Sequence, residues 1–146
     1  MKTLAVSIAL ATVAVALAMG AGVTIKTTPG KAKNGKAPVM VSISITDGYH
    51  IYGPKETVGI PTSIKVQGTN FKLAKATFPQ TKTITVAGQK LQVYEDKVSI
   101  PLVIKPLKNQ KGIQKVTLIV STQACNDRVC MPPETKTIDV SLNFGK

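Results

Sequence analysis

At 146 residues the chain has room for one domain, and 19 Lys plus Arg against 7 Asp plus Glu give it a formal net charge of +12. Every basic residue except Arg128 is a lysine, and the aromatic set is three Tyr, three Phe and no Trp. A nucleic-acid reader normally adds arginines and stacking aromatics, so nucleic acid is set aside as a partner. Lysines scattered over strand-like segments and turns, as at Lys31, Lys33, Lys36, Lys72 and Lys75, read instead as a solvated surface that guards sheet edges. A preference for acidic partners or anionic surfaces is the other use of the charge.

The N-terminus has the layout of a secretory signal. Lys2 supplies the positive start, Leu4 to Ala18 is apolar apart from Ser7 and Thr12, and the small residues Ala16, Ala18 and Gly20 offer a cleavage site near residues 18–22. The expected organisation is a cleaved signal over 1–22 and one domain over 23–146, located in the periplasm or secreted. The alternative is an uncleaved anchor, since the run approaches the length of a membrane span. No later stretch is long and apolar enough to cross a bilayer, so no stable membrane insertion is expected after cleavage.

Val23 to Pro38 is rich in Lys, Gly and Thr and reads as a loose lead-in with room for one early strand. Alternation then begins, with Val41, Ile43 and Ile45 on one face and Ser42, Ser44 and Thr46 on the other. Asp47-Gly48 is a turn, and Tyr49 to Tyr52 a short aromatic segment closed by Gly53-Pro54. Strands are expected at 63–67 and 71–77, and a hairpin over 84–94 about Ala87-Gly88. Val98, Ile100, Leu102 and Ile104 alternate next, then Val116, Leu118 and Val120, and finally Ile138, Val140 and Leu142. Roughly seven to nine short strands separated by Gly, Pro and Asn turns predict an all-β fold, an immunoglobulin-like antiparallel β-sandwich. The cysteine spacing and core Trp of an antibody domain are absent, so Val, Ile and Leu must build the core.

The two cysteines carry the chemical signal. Cys125 and Cys130 lie in a turn-rich segment between the last two long strands, and two cysteines allow only one disulfide. As a staple the bridge is weak: loop-closure entropy gives about 2 kcal/mol for a loop of about six residues, against almost 5 for one near a hundred. A short exposed bridge is also open to thiolate attack. The residues alone leave staple and redox pair both open.

The segment Cys125 to Lys136, with its Cys-Met-Pro-Pro-Glu-Thr-Lys ending, resembles the active-site hairpin of the N-terminal periplasmic domain of DsbD, the thiol:disulfide interchange protein. Asp47 to Tyr52 is similar to that domain's aromatic strand, and Tyr94 to Leu102 to a third stretch, with the three blocks in the same order. The resemblance implies an immunoglobulin-like fold that takes reducing equivalents from a thioredoxin-like electron donor and passes them to oxidised periplasmic proteins, as a thiol–disulfide oxidoreductase without a cofactor. It gives the partner-bonding role to Cys130 and the resolving role to Cys125. It also places Tyr52 and His50 around the sulfurs and a shielding cap loop within Thr81–Gly88. Four residues separate the cysteines where the relative compared has five, His50 stands where that relative has an aromatic, and the cap stretch lacks acidic and aromatic residues. The resemblance covers one domain, so electrons are expected from a separate protein, and the chain is expected to be a monomer.

Around the pair, His50 would favour a thiolate if charged, or else simply pack on its strand. Asp127 and Glu134 flank the cysteines as proton acceptors or as charges that raise thiol pKa values. Alternatively, Asp127 serves the turn and Glu134 the surface. Arg128 favours thiolate. Cys125, Cys130, Met131 and His50 are soft enough for Cu(I), but no Met-rich or His-rich tract accompanies them, and zinc lacks a fourth ligand; no metal is expected. The alternatives to exchange are a non-enzymatic immunoglobulin-like binding module with a structural disulfide, and a Cu(I)-handling protein.

Overall fold

The computed structural model describes residues 18–20 and 22–145, so the signal expectation falls almost wholly on residues outside the described ones. Among the described residues the elements are β1 (Ala18–Gly20), β2 (Val23–Pro29), β3 (Ala37–Ile45), β4 (His50–Tyr52), β5 (Ser63–Val66), β6 (Phe71–Ala76), β7 (Lys82–Val86), β8 (Gln89–Glu95), β9 (Lys97–Pro106), β10 (Ile113–Thr122), β11 (Ala124–Cys125) and β12 (Glu134–Asn143). They form three sheets in the orders β1-β2-β3-β9-β6, β12-β10-β5 and β11-β4-β8-β7. Every pairing is antiparallel.

The long strands follow from period-two alternation. In β3, Val39, Val41, Ile43 and Ile45 are buried while Pro38, Met40 and Ser44 are exposed. In β9, β10 and β12 the buried sets are the expected ones: Val98 to Ile104, Val116 to Val120 and Ile138 to Leu142. These faces meet in one cluster that includes Ile25, Ile43, Ile100, Leu102, Leu118 and Leu142. Burying each such side chain stabilises the fold by about 1.5–3 kcal/mol. Slipping any one strand by a residue would turn its apolar set to water, and this fixes the register.

The lead-in is more ordered than its composition suggests. β2 pairs along its whole length with β3, from Val23↔Ile45 to Pro29↔Val39, because Val23 and Ile25 reach the core and carry the polar residues after them onto the ladder. The chain then closes a tight hairpin: Lys33 and Lys36 exchange backbone hydrogen bonds around Asn34-Gly35, both at positive φ. Asn-Gly is the pair that tolerates such a turn best.

The strands give the sandwich two distinct ends. The ten residues of β10 span about 30 Å at strand rise. At the Ile113 end lie the 30–36 hairpin and the loop joining β9 to β10. At the Thr122 end lie the cysteine segment, the Asp96 turn, where the Asp96 carbonyl accepts from Ile45 N, and the turn before β4.

Candidate functional site

After β10 the chain crosses to the third sheet. Ala124 and Cys125, as β11, pair with Ile51 and His50 of β4. Cys125 and Cys130 then face each other as an antiparallel pair. Asn126 N donates to Val129 O at 2.9 Å and Met131 N to Ala124 O at 2.8 Å. The cysteines are thus the non-hydrogen-bonded pair between these two bonds, the kind that brings Cα atoms closest. Their Cα atoms are 4.0 Å apart and a disulfide joins them. Asn126 shapes the turn: its Oδ1 accepts from Arg128 N at 2.9 Å and Val129 N at 2.7 Å. Asp127, considered for that duty from sequence, is instead exposed at the tip.

The two sulfurs have different surroundings. Cys125 is 1 % exposed and packs with Tyr52, Leu91 and Val93, with Ile84 and Val86 against that group. Cys130 is exposed. Both line a shallow cleft of about 180 Å³, walled by His50, Tyr52, Val86, Leu91 and the turn residues 126–129.

Tyr52 is fixed from several sides. Thr62 donates to its carbonyl oxygen through both N (3.1 Å) and Oγ1 (2.7 Å). Its ring meets His50 edge-on with centroids 5.8 Å apart, and its Oη lies 3.8 Å from Cys130 Sγ. Gly59, at positive φ, packs against the ring; a Cβ there would overlap Cε2, Cδ2 and Cζ, so only glycine fits. Burial, followed by the negative charge of Glu56, raises the Tyr52 pKa, so the hydroxyl stays protonated and can donate to sulfur.

His50 sits between Cys125 and Glu95 in the ladder, 4 % exposed, with Nε2 buried and without a hydrogen-bond partner. Burial lowers its pKa and outweighs the opposing pull of Glu95 and Asp127. The imidazole is therefore neutral near pH 7 and does not supply the positive charge considered for it from sequence.

A second groove of about 320 Å³ adjoins the first, shares His50, Val86 and Asp127 with it, and adds Asp47, Glu95 and Asp96. In a chain of net charge +12, the groove beside the disulfide is acidic. Arg128 lines the cleft from the turn. Glu134 is not brought into this group: it opens β12 opposite Thr122, with Oε2 3.7 Å from Lys136 Nζ. Among the described residues no cluster of three or more His, Cys, Asp or Glu is placed to hold a metal.

The stretch expected to contain a cap loop is mostly strand. β7 pairs with β8 through five residues and turns at Ala87-Gly88, both at positive φ. Its last residue, Val86, forms a wall of the cleft. Val86, Leu91 and Gly59 were not singled out from sequence. Leu91 and Val93 alternate as buried residues of a hairpin, but nothing local says that they face the cysteines.

A β-sandwich that carries a half-exposed disulfide on a tight turn, beside a protonated tyrosine, is a domain equipped for thiol chemistry. The chain belongs to the family described as "Thiol:disulfide interchange protein DsbD, N-terminal", whose profile matches residues 24–142. Among solved structures it is similar to the N-terminal periplasmic domain of ScsB from Proteus mirabilis, with a TM-score of 0.64 and 16 % identity, covering 86 % of this chain and 47 % of that one. It is also similar to the Neisseria meningitidis DsbD N-terminal domain in the reduced form, with a TM-score of 0.56 and 21 % identity over 82 % of this chain and 85 % of that one. The GAE domain of GGA2p from Saccharomyces cerevisiae follows at 0.54 and 12 %, over 87 % of this chain and 97 % of that one. The chain thus spans about half the length of the ScsB domain. Together with the antiparallel sheets, these likenesses make the fold an immunoglobulin-like β-sandwich. Comparison with curated proteins gives no match. Among the described residues no helix is long and apolar enough to cross a membrane.

Proposed function

We propose that the domain performs thiol–disulfide exchange through Cys125 and Cys130, taking electrons from a thioredoxin-like donor and passing them to oxidised exported proteins. The observation that carries this reading is the unequal exposure of the two sulfurs at one cleft, in a chain of the interchange family. A donor thiolate attacks Cys130 Sγ, the accessible sulfur. The Cys125–Cys130 bond breaks, its electron pair leaves on Cys125 Sγ, and a donor–Cys130 disulfide forms. The donor's second thiolate then attacks its own bridged sulfur and releases Cys130 as a thiolate. The donor ends as a disulfide and this domain as a dithiol; an oxidised substrate reverses the sequence.

Two neighbours serve those steps. Tyr52 Oη, 3.8 Å from Cys130 Sγ, donates to the thiolate as it departs from the mixed disulfide. Cys125 is buried, which disfavours its thiolate and calls for a proton. The unpartnered His50 nitrogen, opposite it in the ladder, is the polar group at hand to exchange one.

Trapping tests the assignment. Cys125→Ser leaves Cys130 free and is expected to accumulate a mixed disulfide with a thioredoxin-like protein, while Cys130→Ser traps far less. Equal trapping, or trapping mainly through Cys125, overturns the role of Cys130.

A further inference from the structure

The end of the sandwich farthest from the cysteines concentrates positive charge that the exchange reading does not use. Lys36, Lys105, Lys108 and Lys111 line an open cleft of about 560 Å³ there. Lys33 faces Lys36 across the hairpin, and Lys72 faces Lys105 across the β6–β9 ladder. All six are exposed. Like charges placed directly opposite each other oppose folding, and here they recur in two pairs. The ion pairs Lys82–Glu95 and Lys136–Glu134 lie toward the cysteines, and Lys115–Asp139 lies beside the patch on β10 and β12, outside the cleft. None of the seven Asp and Glu side chains lines this cleft: Asp47, Glu95, Asp96 and Asp127 line the groove beside the cysteines, and Asp139, opposite Thr117, pairs with Lys115.

A second observation separates this patch from mere solvation. Leu107 and Ile113, 53 % and 74 % exposed, bracket the same loop. The loop is held rather than loose: Leu107 N donates to Asn70 O at 2.8 Å, Gln114 Nε2 to Lys111 O at 2.7 Å, and Phe144 N to Gly112 O at 2.8 Å. Two aliphatic side chains are therefore presented outward among lysines on a fixed backbone. A soluble polyanion has use for the lysines only. An anionic bilayer satisfies both features, with headgroups taking the ammonium groups and the acyl boundary taking the aliphatics.

We infer that this end docks on an anionic lipid surface, with Leu107 and Ile113 as the inserted tips, and so holds the disulfide about 30 Å out from the bilayer. The inference stands independently of the exchange chemistry.

The chain contains no tryptophan, so one can be placed as a reporter. Leu107→Trp and Val129→Trp, the latter at the cysteine turn, are titrated with phosphatidylglycerol–phosphatidylcholine vesicles, pure phosphatidylcholine vesicles and soluble polyglutamate. Expected are a blue-shifted emission for Leu107→Trp with anionic vesicles only, and no shift for Val129→Trp. Adding K105E, K108E and K111E to the reporter is expected to weaken vesicle partition at least tenfold, and Ile113→Ser to weaken it without altering polyglutamate binding. A shift at Val129→Trp, no shift at Leu107→Trp, or an equal response to polyglutamate would overturn the inference. Unchanged thermal unfolding of each variant shows that loss of binding is not loss of fold.

Discussion

One end of this sandwich gathers carboxylates beside the disulfide; the cleft at the other end is lined by lysines and, among the described residues, by no Asp or Glu. Asp47, Glu95, Asp96 and Asp127 ring the groove beside His50, whereas Lys36, Lys105, Lys108 and Lys111 line the far cleft. The net charge of +12 describes neither end. At ordinary ionic strength fields fade over about 8–10 Å, well short of the 30 Å between the ends, so each end presents its own charge to a partner. At the cysteine end, carboxylates favour an approaching cation; the far end repels one.

The sharpest break of this contrast is Cys130→Ser, which is expected to abolish exchange with a thioredoxin-like protein. Charge reversal at Lys105, Lys108 and Lys111 is expected to leave exchange in solution unchanged, as turnover assays of the two variants would show. Next is Tyr52→Ala. It empties a fixed, buried ring position and should destabilise the fold by about 3–5 kcal/mol in denaturant titration. Tyr52→Phe keeps the packing and removes only the hydroxyl near Cys130, so it should stay folded while its Cys130 thiol pKa rises. Replacing both cysteines with Ser should lower stability by about 2 kcal/mol or less and leave the β-sheet circular dichroism intact, since the bridge closes a short loop and the core cluster does not depend on it.

The smallest effect concerns pH. Because burial lowers the His50 pKa, the unfolded chain binds a proton that the folded chain resists. His50 therefore adds no slope above its ordinary value of about 6.5. Below it, stability falls as pH drops, by at most about 1.4 kcal/mol per pH unit. Unfolding of His50→Gln between pH 5 and 7 should show a shallower slope than the parent.

The long strands were legible because each buries one face: Val41-Ile43-Ile45, Val98 to Ile104, Val116 to Val120 and Ile138 to Leu142 could sit only one way round. β2 was legible only as one early strand without bounds, since Val23-Thr24-Ile25-Lys26 alternates briefly before Thr-Thr-Pro and its pairing with β3 orders the rest. β11, two residues long, has no signature of its own. The cysteine pair was readable from local motif, and Tyr52 and His50 came only from the family resemblance. The rest of the site was not: Val86, Leu91 and Gly59 are far from the cysteines in sequence and arrive by sheet pairing or by the 53–62 loop. The polarity of the molecule was hidden for the same reason, because its acidic groups lie at 47, 56, 95, 96 and 127 and only folding collects them.

A working redox couple and a staple at Cys125–Cys130 differ most directly in their reduction potential. Equilibration of the protein with glutathione or dithiothreitol buffers, read by thiol alkylation and mass spectrometry, measures its reduction potential directly. A working couple has a value in the range of exchange proteins, roughly −120 to −270 mV; a value below about −300 mV would make the bridge structural and rule out the exchange role.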